Sequence, residues 1–298
     1  MEKRVIALGF FDGVHLGHGG LLREAKRIAA QRGCAAAALT FDRHPSELVT
    51  GHAVPLITAQ ADRAYLMRSL YGTDEVLFLH FDRAMMEMPW DEFLSVCLGD
   101  LGACHVVCGW DFRFGHRGLG DAEKLRGFCT AHGIGCTVVG EIDVDGVPVH
   151  STAIRALLEA GELEPAARLL GHPHCFSGTV ISGKRLGRTI GVPTANVALP
   201  QGVVTLPHGV YVTQVEANGV SYPAVTNIGS CPTVTDRAPV IVEPWLLDFD
   251  GDLYGTQIRI RFYRWLRAER KFPSLEALRT EILRNAAQTK RYFEVNCR

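Results

Sequence analysis

The chain has 298 residues, 47% of them hydrophobic and 21% charged, which is enough apolar material for about two domains of roughly 150 residues each. Thirty-one basic and thirty-two acidic side chains give a net charge of -1, which argues against a general binder of nucleic acid or anionic membranes. No apolar run reaches the length of a secretory signal or the ~18 residues of a membrane span. Nine cysteines without a paired framework argue against a disulfide scaffold. We therefore expect a cytoplasmic protein.

The first half alternates strand and helix patterns, which is typical of an α/β domain with a parallel sheet covered on both faces. The predicted strands are Val5–Phe10, Cys34–Phe41, Glu75–His80, His105–Cys108 and Cys136–Val139. The predicted helices are Leu21–Gln31, Ala59–Leu70, Trp90–Leu98 and Ala122–Ala131. Ligands of such sheets bind beyond the carboxyl ends of the strands, so we expect a site in the loops after the first, second and fourth strands.

The pattern changes near residues 172–175. Two short predicted helices, Ala153–Leu158 and Glu164–Leu170, come before this point, and β-rich runs joined by turns follow it, which predicts a small barrel or sandwich. The runs are Phe176–Ile181, Gly209–Glu216, Tyr222–Asn227, Val240–Asp248 and Gln257–Leu266. Asn218-Gly219 and Asp250-Gly251 predict tight hairpins, and Ser274–Tyr292 predicts a final helix. The predicted domains are residues 1–172 and 173–298.

The loop after the first strand, GFFDGVHLGHGGLL, holds a histidine pair. His15 and His18 are three residues apart at a helix start, so they fall on one helical face near amides that bind anions. Both imidazoles could donate to phosphate oxygens and stabilise charge during attack on an α-phosphate, with Asp12 orienting an imidazole or contacting ligand hydroxyls. The glycines that let the backbone approach a ligand are Gly9, Gly13 and Gly17. A glycine-rich turn with two solvated histidines fits the bare pattern about equally well.

Four strings in this order, GFFDGVHLGH, TFDRHPSELV, CGWDFRFGHRGLGD and STAIRALLEAG, resemble the amino-terminal half of the bacterial bifunctional riboflavin kinase/FAD synthetases. That half belongs to the nucleotidyltransferase superfamily, and the resemblance implies transfer of AMP from ATP to FMN. It implies that His15 and His18 hold the ATP phosphates, and that Arg155 acts with them. The other implied ATP contacts are Gly9, Phe11, Asp12, Gly17, Ser151 and Thr152, and the implied flavin or adenine contacts are Asp111, Phe112 and Phe114. Two residues depart from the family pattern, Arg43 and His150.

The segment SGTVISGKRLGRTIGVPTANVAL spaces glycines between cations, a pattern that suits a loop around a polyphosphate. It is not a Walker loop, because no Gly-Lys-Ser/Thr follows at the required spacing. The phosphate-binding candidates are Gly183, Lys184, Gly187 and Arg188. Thr194 and Asn196 would share one face of a strand, where their oxygens could hold Mg²⁺. An ordinary turn is the alternative at this point.

Glu243 lies in an apolar, strand-like run, where an unpaired carboxylate would be costly. It is either a satisfied structural acid or a general base with a tuned pKa. Asp250 and Asp252, in the turn that follows, are interpreted as residues of a solvated hairpin.

Together with NIGSCPT, DFDGDLYG and LRAERKF, these strings resemble the riboflavin kinase domain nearly end to end. The resemblance implies a roughly six-stranded barrel in which a magnesium–ATP complex phosphorylates the 5′-hydroxyl of riboflavin. Thr194 and Asn196 would bind the metal, Glu243 would accept the hydroxyl proton, and Asn227 would contact the flavin. The departures in this half are Val192, Cys231 and Trp245.

The sequence therefore predicts a bifunctional enzyme that makes FMN from riboflavin and then FAD from FMN, with ATP and flavins as substrates and Mg²⁺ as cofactor. The expected partners are these small molecules, without nucleic acid or membrane, and a weak homo-oligomer stays open. Two alternatives remain. One is a riboflavin kinase with a degenerate or repurposed first domain, which Arg43 and His150 motivate. The other is a flavin-binding regulator without turnover, against which the intact Glu243 argues.

Overall fold

A computed structural model describes residues 2–183, 187, 191–230 and 240–296. The chain forms two compact units, residues 1–151 (unit 1) and 152–298 (unit 2). Lys184, Arg188 and Cys231, which the sequence singles out, lie outside the described residues. Among the described residues, no helix combines the length and apolar character needed to cross a membrane. The predicted domain limits, 1–172 and 173–298, stay a prediction.

Unit 1 is built on a parallel five-stranded sheet with the strand order β3-β2-β1-β4-β5. The strands are β1 (Arg4–Leu8), β2 (Ala35–Phe41), β3 (Glu75–Leu79), β4 (Ala103–Gly109) and β5 (Gly135–Val139), followed by a small hairpin of β6 (Asp143–Val144) and β7 (Val147–Pro148). Four residues of the central strand, Val5 to Leu8, are at most 2% exposed, as expected for a strand covered on both faces. The strand order reverses between β1 and β4, and such a switch point is where open α/β sheets bind ligands.

The helices of unit 1 flank this sheet. They are α1 (Leu16–Arg32), α2 (Pro45–Thr50), α3 (Gln60–Tyr71), α4 (Arg83–Glu87), α5 (Trp90–Leu94) and α6 (Ala122–Ala131). The prediction that the first helix begins at Leu21 is wrong: α1 begins at Leu16, because the His15 side chain accepts a hydrogen bond from the His18 amide and so caps the helix. Helices α2 and α4 were not predicted, because they are too short to show an apolar period.

Unit 2 is a closed six-stranded antiparallel barrel, so the barrel interpretation is confirmed. Around the barrel the strand order is β10-β11-β12-β9-β8-β13. The strands are β8 (His174–Ile181), β9 (Asn196–Ala198), β10 (Gly209–Ala217), β11 (Val220–Ser230), β12 (Val240–Leu246) and β13 (Gln257–Ala268). The helices are α7 (Ser151–Glu159), which begins at the last residue of unit 1, α8 (Leu163–Leu170) and α9 (Leu275–Asn296). Helix α8 packs on β13 and β8, and α9 packs on β11 and β10.

One of the two predicted hairpins is wrong. Asn218 and Gly219, with φ angles of 50° and 78°, form the tight turn between β10 and β11. In contrast, Asp250-Gly251 lies in the long connection between β12 and β13, two strands that are not neighbours in the barrel. The chain bends at Gly251, and barrel closure decides which strands become neighbours of β12 and β13.

Candidate active sites

The loop that leaves β1 turns sharply at the switch point of the sheet. Phe11, Gly13 and Val14 have φ angles of 58°, 78° and 46°, and this left-handed region is unfavourable for a β-branched residue such as Val14. Phe11 is fully buried, and a Cβ on Gly9 would lie 3.0 Å from its ring. Gly9 therefore lets Phe11 pack beneath the loop. Strained backbone of this kind is concentrated at ligand-binding sites.

Asp12 fastens this loop to the segment before α3. Its side chain is buried, and Oδ1 accepts hydrogen bonds from the amides of Ile57 at 2.8 Å and Thr58 at 3.2 Å. The Gly13 amide donates to the Thr58 hydroxyl at 3.0 Å, and the Ser151 hydroxyl donates to the Asp12 carbonyl at 3.1 Å. The carboxylate thus holds the shape of the loop, and its contact with ATP stays a prediction.

His15 and His18 lie side by side above the end of β1. Their rings stack with centroids 3.5 Å apart at an interplanar angle of 17°, and Phe11 meets His18 edge-on at 5.3 Å. The Nδ1 atom of His15 accepts a hydrogen bond from the His18 amide at 3.3 Å. In the neutral His15 ring the proton is therefore on Nε2. The predicted adjacency of the two imidazoles is confirmed.

The His18 imidazole is held in its neutral form. Its pKa is well below the ordinary 6.5, mainly because burial disfavours the charged ring, and further because His15 and Arg63 add positive potential. Its Nδ1 atom is buried with no hydrogen-bond partner among the described residues. A neutral ring still offers one N–H donor, and a bound polyphosphate would favour its protonation. The pair can therefore stabilise negative charge on a phosphate.

Arg63 of α3 is a buried cation that adds positive potential at His18. It was not among the predicted site residues. It is 0% exposed, and its guanidinium donates to the carbonyls of Phe10 at 2.7 Å and Phe41 at 2.9 Å. It also lies over the rings of Phe10 and Phe78, at 4.5 and 5.2 Å. Burial lowers the pKa of Arg63 to about 10, while Asp12 favours its charge. Arg63 joins the carboxyl ends of β1 and β2, where the two site loops begin.

Replacing Arg63 with methionine should loosen these loops. The Phe10 and Phe41 carbonyls would lose buried donors, each worth about 1–3 kcal/mol, so the amides of β1 and β2 should exchange with deuterium faster by a factor corresponding to about 2–4 kcal/mol. Hydrogen exchange read by mass spectrometry measures this. The control is Arg68→Met on the exposed face of the same helix, expected to change stability by less than about 0.5 kcal/mol. Unchanged protection of both strands in Arg63→Met would contradict this role.

The loop after β2 carries a carboxylate–imidazole contact and a helix cap. Asp42 Oδ2 lies 2.6 Å from Nδ1 of His80, and Asp42 Oδ1 accepts a hydrogen bond from the Phe81 amide at 3.0 Å. His44 caps α2 by accepting from the Ser46 amide at 3.1 Å. Arg43, one of the departures from the family pattern, is exposed beside them. This departure therefore leaves the cap and the Asp42–His80 contact in place.

The predicted flavin residues in the loop after β4 differ in their burial. Phe114 is 6% exposed and packs against Phe93 at 5.6 Å, so it belongs to the core. Phe112 is only partly buried and stacks on Phe114 with centroids 5.4 Å apart, and Asp111 is exposed. Asp111 and the outer face of Phe112 are therefore the parts of this loop that a ligand can reach.

The predicted phosphate clamp lies where the two units join in sequence. Ser151 bonds to the Asp12 carbonyl, as described above, and a Cβ on Gly17 would lie 3.1 Å from the His15 ring. His150, in the place of the usual serine, has its Nε2 atom 3.6 Å from a Glu141 carboxylate oxygen. In unit 2, Thr152 is exposed and Arg155 is partly buried. The roles of Ser151, Thr152 and Arg155 stay predictions.

Unit 2 has a cavity of about 470 Å³ whose lining includes one of the two predicted metal residues. Thr194 lines it together with Asp250 and Asp252, and Asp252 Oδ1 also accepts a hydrogen bond from the Tyr254 amide at 3.0 Å. Asp250 and Asp252 are exposed, as predicted, but they face this cavity rather than forming a hairpin. Strand β9 begins at Asn196, so Thr194 lies just before the strand and not within it.

Two predicted phosphate-loop glycines pack directly against these residues. A Cβ on Gly183 would lie 2.3 Å from the Asn196 amide nitrogen and 2.8 Å from its oxygen. A Cβ on Gly187 would lie 2.1 Å from the Val192 carbonyl and 3.4 Å from the Thr194 hydroxyl. Glycine at both positions therefore leaves the hydroxyl of Thr194 and the amide of Asn196 a space that any side chain would fill.

Glu243 is directly opposite Asn227 in the β11–β12 pair, so the structure brings these two predicted residues together. Burial raises the pKa of the Glu243 carboxyl, a hydrogen bond with Asn227 lowers it, and the charge of Glu269 raises it again. The Asn227 amide nitrogen also donates to Glu269 Oε1 at 3.1 Å. A half-buried carboxylate with a raised pKa has the properties of a general base. Glu269, which immediately follows β13, was not among the predicted site residues.

Two family models match the chain. The model described as FAD synthetase covers residues 1–153, and the model described as riboflavin kinase covers residues 170–293. Each match falls on one of the two sites described above.

Proteins named bifunctional riboflavin kinase/FMN adenylyltransferase are similar to this chain over nearly its whole length. The one from Bacillus subtilis is 36% identical and the match covers 98% of this chain and 93% of that protein, and the one from Pseudomonas fluorescens is 37% identical with 96% and 92% coverage. A crystal structure described as a macrolide-efflux protein from Streptococcus pneumoniae has a TM-score of 0.84 and 27% identity, covering 97% of this chain and 94% of that one. The two-part architecture is shared with that structure.

Proposed function

Because the chain belongs to the bifunctional riboflavin kinase/FMN adenylyltransferase family, we propose that it converts riboflavin into FAD in two consecutive ATP-dependent steps. Residues 173–298 would form FMN from riboflavin, and residues 1–172 would form FAD from FMN. This proposal rests on the presence of two separate candidate sites in one chain. One is the stacked His15/His18 pair at the switch point of the sheet, and the other is the barrel, which holds Glu243 and has a cavity lined by Thr194. The match of the FAD synthetase model to residues 1–153 favours this function over a kinase alone.

In the kinase step, the 5′-hydroxyl oxygen of riboflavin bonds to the γ-phosphorus of ATP while the bond from that phosphorus to the bridging oxygen of ADP breaks. Glu243 accepts the hydroxyl proton, and its raised pKa supports this role. Phosphoryl transfer otherwise depends on positioning and on neutralising the phosphate charge. Asn227, beside Glu243, is proposed to face the flavin side of the same site.

The donor set of the barrel site fits Mg²⁺. Thr194 and Asn196 supply a hydroxyl and an amide oxygen, the hard ligands that Mg²⁺ accepts, and Gly183 and Gly187 leave space beside them. We propose that these two residues would hold the ion. When bound, Mg²⁺ would neutralise charge on the ATP phosphates.

In the adenylyl step, a phosphate oxygen of FMN bonds to the α-phosphorus of ATP and pyrophosphate leaves. The FMN phosphate is already ionised, so no general base is needed, and the protein has to position two anions against each other. His15 and His18 would donate to the phosphates from the β1 loop, and Ser151, Thr152 and Arg155 would complete the clamp. Asp111 and the outer face of Phe112 are proposed to meet the flavin.

We propose a cytoplasmic setting for this enzyme. The seven cysteines in the described part of the chain are free thiols, several of them buried, which supports a reducing compartment such as the cytoplasm. The net charge of -1 supports small-molecule substrates rather than nucleic acid.

A product time course tests the function directly. Purified protein with riboflavin, ATP and Mg²⁺ should form FMN first and FAD after a lag, as separated by chromatography. Chelation of the metal with EDTA should stop product formation, and excess Mg²⁺ should restore it. FMN that accumulates without FAD at saturating ATP would contradict the adenylyl step, and absence of both products would contradict the whole proposal.

A further inference from the structure

Asn227 lies between two carboxylates in the barrel. Its amide nitrogen donates to Glu269 Oε1 at 3.1 Å. Asn227 also lies directly opposite Glu243 in the β11–β12 pair, where its side chain lowers the pKa of the Glu243 carboxyl. An asparagine amide carries two N–H donors on one nitrogen. One Asn227 side chain can therefore serve both carboxylates at once.

The orientation of this amide needs a second partner to fix it. If the side chain rotated by half a turn, its oxygen would face Glu243, and two acceptors would oppose each other. An ionised carboxylate accepts hydrogen bonds and donates none, so Glu269 selects the orientation in which the nitrogen lies between the two acids. Glu269 therefore acts on Glu243 through Asn227.

The backbone of β11 leaves room for Glu269 to reach Asn227. Gly229 is two residues beyond Asn227, so both face the same side of the strand. A Cβ on Gly229 would lie 2.4 Å from Glu269 Oε1 and 3.3 Å from the Asn227 amide nitrogen. On the outer side, Nδ1 of His208 lies 4.0 Å from Glu269 Oε2. Glu269 thus has a defined place although its side chain is 45% exposed.

We propose that Glu269 is a positioning residue of the kinase step, which accepts one N–H of Asn227 and thereby directs the other to Glu243. The inference rests on the proposed role of Glu243 as the base. A carboxylate held in one orientation meets the riboflavin hydroxyl in the geometry that proton transfer requires, and small misplacements of reacting groups are costly.

Two substitutions at this position separate geometry from charge. Glu269→Ala removes the acceptor, so kcat for riboflavin phosphorylation should fall by about 10- to 100-fold, with KM for riboflavin and for ATP changed less than about threefold. Glu269→Gln keeps an acceptor oxygen and loses the charge, so kcat should stay within about threefold of the wild type. A purely structural role would not give this separation of kcat from KM together with rescue by glutamine.

Controls measured in the same assay make each outcome decisive. Glu164→Ala removes a carboxylate of similar exposure, 48%, that pairs with Arg264 on the barrel surface, and it should leave kcat unchanged. The rate of FAD formation from supplied FMN should be the same in all variants, which reports an intact fold.

If Glu243→Gln has lost FMN formation, each of three results would contradict the positioning role of Glu269 without contradicting the role of Glu243 as the base. They are a wild-type kcat in Glu269→Ala, a raised KM with unchanged kcat, or a Glu269→Gln variant as slow as the alanine variant. An active Glu243→Gln variant would instead overturn the proposed base, and this inference with it.

Discussion

Glu243→Gln should reduce FMN formation by about 10²- to 10⁴-fold, the usual contribution of a general base, while FAD formation from supplied FMN stays at the wild-type rate. Glutamine has nearly the same shape and can still bond to Asn227, but its amide cannot accept the riboflavin proton. The loss should therefore appear in kcat with little change in KM. Steady-state rates with riboflavin and with FMN as alternative substrates measure both halves.

The matched control is Glu216→Gln, another partly buried barrel carboxylate, which pairs with Arg259 and Arg261 away from the proposed site. It should leave kcat for riboflavin within about twofold of the wild type. Retained FMN formation in Glu243→Gln would show that the kinase step uses no base at this position. Equal loss of both activities would show that the substitution damages more than the kinase site.

His18→Ala should have the opposite pattern, with FAD formation from FMN reduced by about 10²- to 10³-fold and FMN formation unchanged. The range is that for removing one donor which stabilises charge in a transition state. The His18 ring lies against His15 and Phe11, and its low pKa keeps it a neutral donor until a polyphosphate binds. Rates of FAD and FMN formation by the same preparation measure the effect.

His132→Ala is the control for this substitution. His132 is an exposed histidine of unit 1 that stacks on Phe128, far in sequence from the β1 loop, and its removal should leave FAD formation within about twofold. If His18→Ala formed FAD at the wild-type rate, the imidazole pair would have no part in adenylyl transfer.

Part of both candidate sites was accessible from sequence because local pattern decides it, whereas the role of Asn227 was implied only by the family resemblance. His15 and His18 are adjacent since a strand end, a glycine loop and a helix start occur within a few residues of each other. Glu243 and Asn227 are adjacent because antiparallel pairing of β11 with β12 puts two strand residues directly opposite. A single loop brings the two histidines together, and the pairing of two neighbouring strands brings Asn227 and Glu243 together.

The missed residues depend on contacts between distant parts of the chain. Arg63 reads as an ordinary helical arginine, and only the fold shows that α3 buries it against the carboxyl ends of β1 and β2. The sequence offers one signal, the apolar residues Ala64, Leu66 and Met67 that follow Arg63 in the helix and are buried in the structure. Glu269 lies within the family-like string LRAERKF, but its partner Asn227 lies 42 residues earlier. Sequence spacing carries no information on such pairs.

The wrong hairpin has a similar cause. Gly251 lies at a bend of the chain, yet β12 pairs with β11 and β9, and β13 pairs with β10 and β8. Closure of the barrel places the two flanking strands apart, so the connection between them is free to line the cavity with Asp250 and Asp252. A local turn signal cannot distinguish these two arrangements.

Mixing the two slowed variants tests most directly whether the chain holds two independent sites. Glu243→Gln should form FMN, and His18→Ala should form FAD, at least about 100-fold more slowly than the wild type, so in the time that the wild type needs, neither variant alone should convert riboflavin into measurable FAD. Together, with ATP and Mg²⁺, they should form FAD after a lag during which free FMN accumulates. A mixture that forms FMN but no FAD, while Glu243→Gln still adenylylates supplied FMN, would contradict free passage of FMN between sites. Failure of Glu243→Gln to adenylylate supplied FMN would contradict the independence of the two sites.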